Sequence, residues 1–274
     1  MDAGKFFKNN KGQLHEVTST TGLTEMDGMW RSLCAADMDN DGDIDLVTGN
    51  LGLNCVYKAG PSTPMELFAS DIDGNGSIDP VMFYYIKEND EIRRSYPAIT
   101  RGQLTEQVPA MRKKFLLYKD YARATFDDIF KGKIGKKMPS FTCNETRSCW
   151  LENMGNGKFL KHPLPVEAQF APVNAMVVED LDGDGFKDLI IAGNEYQAEV
   201  TIGRYDASYG TVLKGSKEKL FTPLSILQSG LILKGDIKSM VLIPSANGGK
   251  LLVAAANNDS LRVFQINGPL NKHI

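Results

Sequence analysis

The chain has 274 residues, of which 42% are hydrophobic and 24% charged, with a formal net charge of −3. That balance supports a soluble globular protein, and the negative charge without any aromatic–basic stacking motif argues against nucleic acid as a partner. No apolar run is long enough to span a bilayer. From the N-terminus, Phe6 to Leu14 reads as a strand, a turn at Asn9-Asn10-Lys11-Gly12, and a returning strand. An acidic loop comes next at 37–45, a second at 71–79 and a third at 180–188, each leading into a short apolar run. Between the second and third loops, residues 86–147 fit neither pattern.

The three loops, DMDNDGDID, DIDGNGSID and DLDGDGFKD, share the form D-x-D-x-[DN]-G-x-x-D. Side chains at alternate positions aim at a common centre, and the Gly at position 6 permits the turn that closes the ring. A hard, oxygen-seeking cation of Ca²⁺ size is the natural occupant, up to three ions in all. The first site offers Asp37, Asp39, Asp41 and Asp45, with a backbone carbonyl from Asp43. The second offers Asp71, Asp73, Asn75 and Asp79, with a carbonyl from Ser77; neutral Asn75 leaves it the weakest. The third offers Asp180, Asp182, Asp184 and Asp188, with a carbonyl from Phe186.

The residues after each loop exclude an EF-hand. Position 12 would be a bidentate Glu, but here it is Thr48, Met82 and Ile191. The runs Leu46-Val47-Thr48, Val81 to Tyr85 and Leu189-Ile190-Ile191 read as strands, and Pro80 suits the opening of one. Each element is therefore an acidic loop feeding a β-strand.

A longer repeat encloses the loops. Trp150 to Phe159 repeats the strand–turn–strand of residues 6–14, and Asn9 precedes Asp37 by 28 residues where Asn153 precedes Asp180 by 27. Gly49-Asn50 and Gly193-Asn194 close two units alike. In a fourth copy, Met240-Val241-Leu242 and Leu251 to Ala254 keep the strands. There Pro244 to Gly249 replaces the acidic loop, and no metal is expected.

These units resemble FG-GAP/VCBS repeats, the calcium-loop blades of integrin-type β-propellers. The phrases AADMDNDGDIDLVTGNLGLN, DLDGDGFKDLIIAGN and GRYDAS resemble, more narrowly, the bacterial cartilage acidic protein/UnbV group. The resemblance covers about residues 5–85 and 148–266 and implies a mainly β protein, a β-propeller of four-stranded blades. It also implies an extracellular, periplasmic or cell-surface location. Family propellers generally carry seven blades, whereas four units are countable here. Residues 1–85 are then blades 1–2, 86–147 a basic, partly helical insertion, and 148–274 blades 3–4. With the chain opening almost directly on a strand, the expectation is a piece of a longer secreted protein whose other blades close the ring; a complete four-bladed ring is the alternative.

The insertion carries 14 Lys/Arg against 8 Asp/Glu, a net of +6 that leaves −9 for the rest. From Pro109, the spacing of Met111, Phe115, Tyr118, Ala122, Phe126 and Ile129 predicts a helix ended by Gly132 and Gly135. It is expected to lie outside the repeats and to be removable. Such a charge split marks either a site for an anionic partner such as an acidic glycan or a helix with solvated cations, and the second reading is the simpler.

Cys143 and Cys149 bracket a short loop where an exported protein could hold a local disulfide, while Cys34 reads as a buried thiol. His15, His162 and His273 are scattered and read as exposed loop or terminal residues; no nucleophile motif or P-loop is present. No catalytic residue is assigned. The expected function is a calcium-stabilised binding or adhesion module that recognises a glycan or protein partner through its loops. The alternative is a calcium-dependent carbohydrate-active enzyme, a polysaccharide lyase or hydrolase. A cleft placing an arginine or lysine beside a tyrosine, from Arg93, Arg94, Tyr96 or Tyr118, would favour the enzyme.

Overall fold

The computed structural model describes residues 2–23, 25–89, 92–130, 139–218 and 220–266. The chain runs through β1 (Asp2–Ala3), β2 (Phe7–Asn10), β3 (Gln13–Glu16), β4 (Asp27–Gly28), β5 (Ser32–Ala36) and β6 (Asp45–Gly49). Then come β7 (Met65–Ser70), β8 (Asp79–Lys87), β9 (Arg93–Pro97), α1 (Arg101–Gln107), α2 (Met111–Lys114), α3 (Tyr118–Tyr121) and α4 (Phe126–Phe130). Next are β10 (Ser140–Cys143), β11 (Cys149–Asn153), β12 (Phe159–Pro163), β13 (Val173–Glu179) and β14 (Asp188–Gly193). Last are β15 (Thr211–Lys214), β16 (Thr222–Leu224), α5 (Ile226–Ser229), β17 (Ile237–Pro244), β18 (Lys250–Ala256) and β19 (Arg262–Ile266). With 39% strand against 12% helix, the protein is mainly β, and its strand pairs are antiparallel.

Each acidic loop joins the two strands of a hairpin in one register. The residue before the loop pairs with its ninth position: Ala36 with Asp45, Ser70 with Asp79, and Glu179 with Asp188. The fourth hairpin, β17–β18, keeps the strands and pairs Pro244 with Lys250 across a shorter turn.

The chain divides into two compact units. The first comprises Met1–Gly4, Glu25–Gly28 and Tyr57–Glu145. Its sheet has the order β10-β7-β8-β9, so residues 93–97 and 140–143, from the expected insertion, supply its two outer strands. Between these strands in the chain lie α1 to α4. Leu104, Val108, Met111, Phe115, Ile129 and Phe130 share one core with Val81 and Phe83 of β8. The helical segment is therefore part of this unit's interior and not a removable appendage.

The expected single helix is three short ones. Met111, Phe115 and Ile129 are buried as the spacing requires, but Tyr118 and Ala122 are exposed and Tyr121 and Ala124 are buried in their place. The chain leaves the helical region at Phe115 (ψ 75°) and Leu117 (ψ 147°), which shifts the buried register. A local cause is on hand: the Arg101 side chain of α1 donates from Nε to the Phe115 carbonyl at 2.6 Å, a group that a continuing helix would use itself. Gly132 and Gly135 lie outside the described residues.

The second unit comprises Lys5–Thr24, Met29–Val56 and Thr146–Ile274. It holds sheets ordered β12-β11-β6-β5, β13-β14-β15-β16 and β17-β18-β19, and the β2-β3 hairpin. The hairpin predicted at 150–159 is thus β11–β12, and it completes the sheet of the first acidic loop rather than the third.

The middle sheet is buried on both faces. Ile190, Ala192 and Val212 pack in a core with Ile237, Leu252 and Ala254, while Leu189, Ile191 and Leu213 pack with Val47 and Trp150. Side chains alternate across a strand, so a strand enclosed on both sides must be apolar throughout, as Leu189 to Ala192 is. Each of its leucine and isoleucine side chains contributes roughly 1.5–3 kcal/mol on full burial. The glycines closing these strands are sterically required. A Cβ on Gly193 would lie 1.6 Å from the Pro172 carbonyl oxygen, and one on Gly49 would lie 2.3 Å from that of Val173. The Asn194 side chain beyond Gly193 then bonds the carbonyls of Ser208 and Gly235, both at 2.9 Å.

Candidate metal centres

The three loops are wired alike. At position 9, Asp45, Asp79 and Asp188 are only 1%, 4% and 0% exposed, so their carboxylates need partners. Each accepts the backbone N–H of position 2: Met38 at 3.2 Å, Ile72 at 2.9 Å and Leu181 at 2.8 Å. At position 1, Asp37, Asp71 and Asp180 accept the N–H of the position-6 glycine at 3.1, 2.9 and 3.0 Å. Position 3 accepts from position 5 at 3.2 Å in all three loops. Position 5 accepts from position 7 at 2.8, 2.7 and 2.9 Å. The position-7 N–H of Asp43, Ser77 and Phe186 thus points back along the loop to position 5.

Position 4 is the requirement that sequence reasoning missed. Asn40, Gly74 and Gly183 have φ of 62°, 81° and 75°, so the chain is left-handed here as well as at the position-6 glycine. Only Gly and Asn enter this region readily, and the residue types at position 4 carried that signal. In the first loop, Asn40 also donates from Nδ2 to the Gly185 carbonyl of the third loop at 2.8 Å.

The wiring brings oxygen ligands together. Asp37, Asp39 and Asp41 each place one carboxylate oxygen within 4.8 Å of the others, as do Asp71, Asp73 and Asp79, and Asp180, Asp182 and Asp188. Oxygens about 2.3–2.6 Å from a shared Ca²⁺ lie within about 5 Å of one another, so this spacing suits the ion. Asp37 Oδ1 is buried with no hydrogen-bond partner, a cost that a cation at the centre would remove. With oxygen donors throughout and no His or Cys in the groups, a hard cation fits better than zinc. Three acidic clusters can therefore hold metal ions. In the first, Asp45 is outside the closest group, its Oδ1 taken by the Asn153 N–H at 2.7 Å.

The electrostatics point the same way. Burial pushes the Asp188 carboxyl up to about 6, against the lowering effect of the Leu181 and Gly215 N–H groups, and neighbouring Asp182 and Asp184 add to the rise. Burial likewise raises Asp45. The exception is Lys214, at the end of β15. Its ammonium bonds Asp182 and lies 3.2 Å from Asp184, so Asp184 sits low despite its burial cost, held by the Phe186 N–H and by Lys214. Lys214 lies 26 residues beyond the loop, and nothing in the local pattern announces it.

No family model and no curated protein matches the chain.

Other candidates resolve differently. Cys143 and Cys149 are free thiols, each with Sγ 3.5 Å from a backbone carbonyl, of Glu145 and Arg147 respectively; the local disulfide that the sequence left open is not formed between them here. Burial raises Cys34 and Cys143 to about 11, far from thiolate reactivity. His15 is exposed on β3, whereas His162 is not the loop residue expected. It stands on β12, stacked on Trp150 at 4.8 Å and bonded to Glu152 at 2.7 Å. His273 lies outside the described residues. Among the described residues no helix is long and apolar enough to cross a membrane.

In the first unit an open cleft of about 330 Å³ is lined by Ile86, Glu88, Tyr96, Pro97, Tyr121 and Ala122. The Tyr96 hydroxyl bonds Glu88, whose other oxygen lies 3.5 Å from Arg94. That bond to Glu88 raises Tyr96 above the ordinary phenol range.

Proposed function

We propose that this chain is a calcium-stabilised binding or adhesion module built from propeller blades of the FG-GAP/VCBS kind, working outside the cytoplasm with a glycan or protein partner. The observation that carries it is the shared hydrogen-bond wiring of the three loops, which gathers carboxylates around a centre and leaves Asp37 Oδ1 unpartnered. Three sheets stacked face to face in the second unit, each antiparallel and each met at a hairpin, support the blade reading. The ions are structural here. They lie in loops between strands, where a bound metal keeps the carboxylates ionised and unsuited to general acid work. Affinities on the order of 10⁻⁴–10⁻³ M are expected, as for extracellular calcium modules.

Calorimetric titration of the chelated protein with Ca²⁺, Mg²⁺ and Zn²⁺ tests the metal. Uptake of calcium in preference to the other two supports the reading, and zinc preference or no calcium uptake overturns it. A glycan array and a pull-down with and without calcium then test for the partner.

The carbohydrate-active alternative draws on one observation, the cleft that sets Tyr96 near Arg94. A lyase needs a tyrosine that gives up its proton readily, and Glu88 has the opposite effect on Tyr96.

A further inference from the structure

Between α2 and α3 the first unit exposes an apolar tip. Leu116, Leu117 and Tyr118 are 72%, 52% and 71% exposed, while Met111 and Phe115 before them and Tyr121 after them are buried in the core. The tip is fixed from both sides. Arg101 donates from Nε to the Phe115 carbonyl at 2.6 Å and from Nη2 to the Leu116 carbonyl at 3.2 Å, and its guanidinium lies 5.1 Å from the Tyr118 ring. The leucines therefore stand out from a braced turn. Around them Arg112, Lys113, Lys114, Lys119 and Arg123 are all exposed, with Asp120 the one acid between 112 and 123.

We propose that this tip is a membrane-surface contact: Leu116, Leu117 and Tyr118 enter the boundary between headgroups and acyl chains, and the surrounding cations meet anionic phospholipid headgroups. Three considerations select a bilayer. A sulfated glycan would satisfy the cations but offers no apolar phase for two leucines. Lysine is depleted at protein–protein interfaces, whereas apolar residues ringed by lysine and arginine are the composition of interfacial membrane segments. Each cation near an anionic surface adds roughly a fivefold gain in partitioning, so five cations and a short apolar tip can together hold a folded protein reversibly. The inference stands apart from the metal loops and from the choice between binding module and enzyme.

The test is co-sedimentation of the full chain, with calcium and with chelator, on vesicles of phosphatidylcholine alone and of phosphatidylcholine mixed with phosphatidylserine. Binding to the mixed vesicles, weak binding to the neutral ones, and a decline with added salt are expected. The double variant Lys113→Glu/Lys114→Glu is expected to weaken binding by at least about 25-fold, as two fivefold factors combine. Leu116→Ser/Leu117→Ser is expected to weaken it about tenfold. All four side chains are exposed, and unchanged melting curves would show that both variants fold. Several results would overturn the proposal: no vesicle binding, retention on heparin alone, equal binding of the leucine variant, or binding that needs calcium and survives both variants, which would be bridging by the acidic loops.

Discussion

Two hairpins of the second unit, β13–β14 and β17–β18, share their register and a core but differ in the connection, which bears on what the acidic loop does. Both place a register shift near the start of the first strand, between Val173 and Ala175 and between Ile237 and Ser239. Both contribute to the same core, through Ala175 and Ile190 on one side and Met240 and Leu252 on the other. β14 is also buried on its second face, where β17 is partly exposed, but the plainest difference is the connection. Residues 180–187 form a carboxylate-lined loop, whereas 245–249 close on themselves through the Ser245 N–H to Gly249 carbonyl bond at 3.0 Å. A hairpin of this register therefore forms without an acidic loop. The longer, charged connection is the part expected to depend on a cation, because its carboxylates repel one another without one.

The largest effect that sharpens this contrast is chelation. A ligand at about 100 times its dissociation constant adds roughly 2.7 kcal/mol per site, so removing three ions is expected to cost up to about 8 kcal/mol. Scanning calorimetry with and without chelator measures it. Identical melting curves would mean that the acidic loops are as self-sufficient as the 245–249 turn.

Next comes pH. The Asp188 carboxyl, at about 6 in the folded chain, takes up protons more readily there than when unfolded. In chelated protein its contribution is therefore greatest below about pH 4 and is lost as pH rises to about 6, a decline on the order of 2–3 kcal/mol. Calcium is expected to abolish that decline, since the bound ion favours the charged form. Denaturant titrations across this range in both conditions would show it, and a chelated protein that gains stability over the window would contradict it.

A smaller effect is expected at Asn40. Asn40→Ala places an alanine in a left-handed turn and removes the bond to Gly185, for a loss of about 1–2 kcal/mol. Asn40→Gly keeps the turn and loses only the bond, so it should fall below that; equal losses would show that the turn's handedness does not matter. The smallest effect belongs to Lys214→Met. It removes an ammonium that competes for Asp182 and Asp184, and calcium affinity at the third site is expected to rise by about fivefold, close to 1 kcal/mol. No change would place Lys214 outside the site's electrostatic reach when metal is bound.

The loops and their outgoing strands were legible because their logic is local. Alternating Asp and a glycine at position 6 specify a ring, and Leu189-Ile190-Ile191 specifies a strand buried on two faces. Pairing across long stretches was not legible. β11 joins β6 through the Thr48 hydroxyl to Cys149 carbonyl bond, spanning 101 residues, and no local pattern distinguishes it from a strand opening the next repeat. The helical stripe failed at Tyr118 for a similar reason: Arg101 captures the Phe115 carbonyl from 14 residues away and breaks the register. Lys214 is the third instance, a cation brought to the site by sheet pairing alone.

The bond from Asn40 Nδ2 to the Gly185 carbonyl has a thermodynamic reach beyond its own strength. It joins the position-4 turn of one acidic loop to the position-6 glycine of another, so an ion that orders either loop removes part of the entropy cost of ordering its neighbour. If both loops hold an ion, as proposed, occupancy of the first and third is linked, and by reciprocity each ion raises the other's affinity by the same factor. Such a pair fills over a narrower range of calcium concentration than two separate sites of the same average strength. On that reading the two loops act as a threshold, more ordered above a set calcium level than below it.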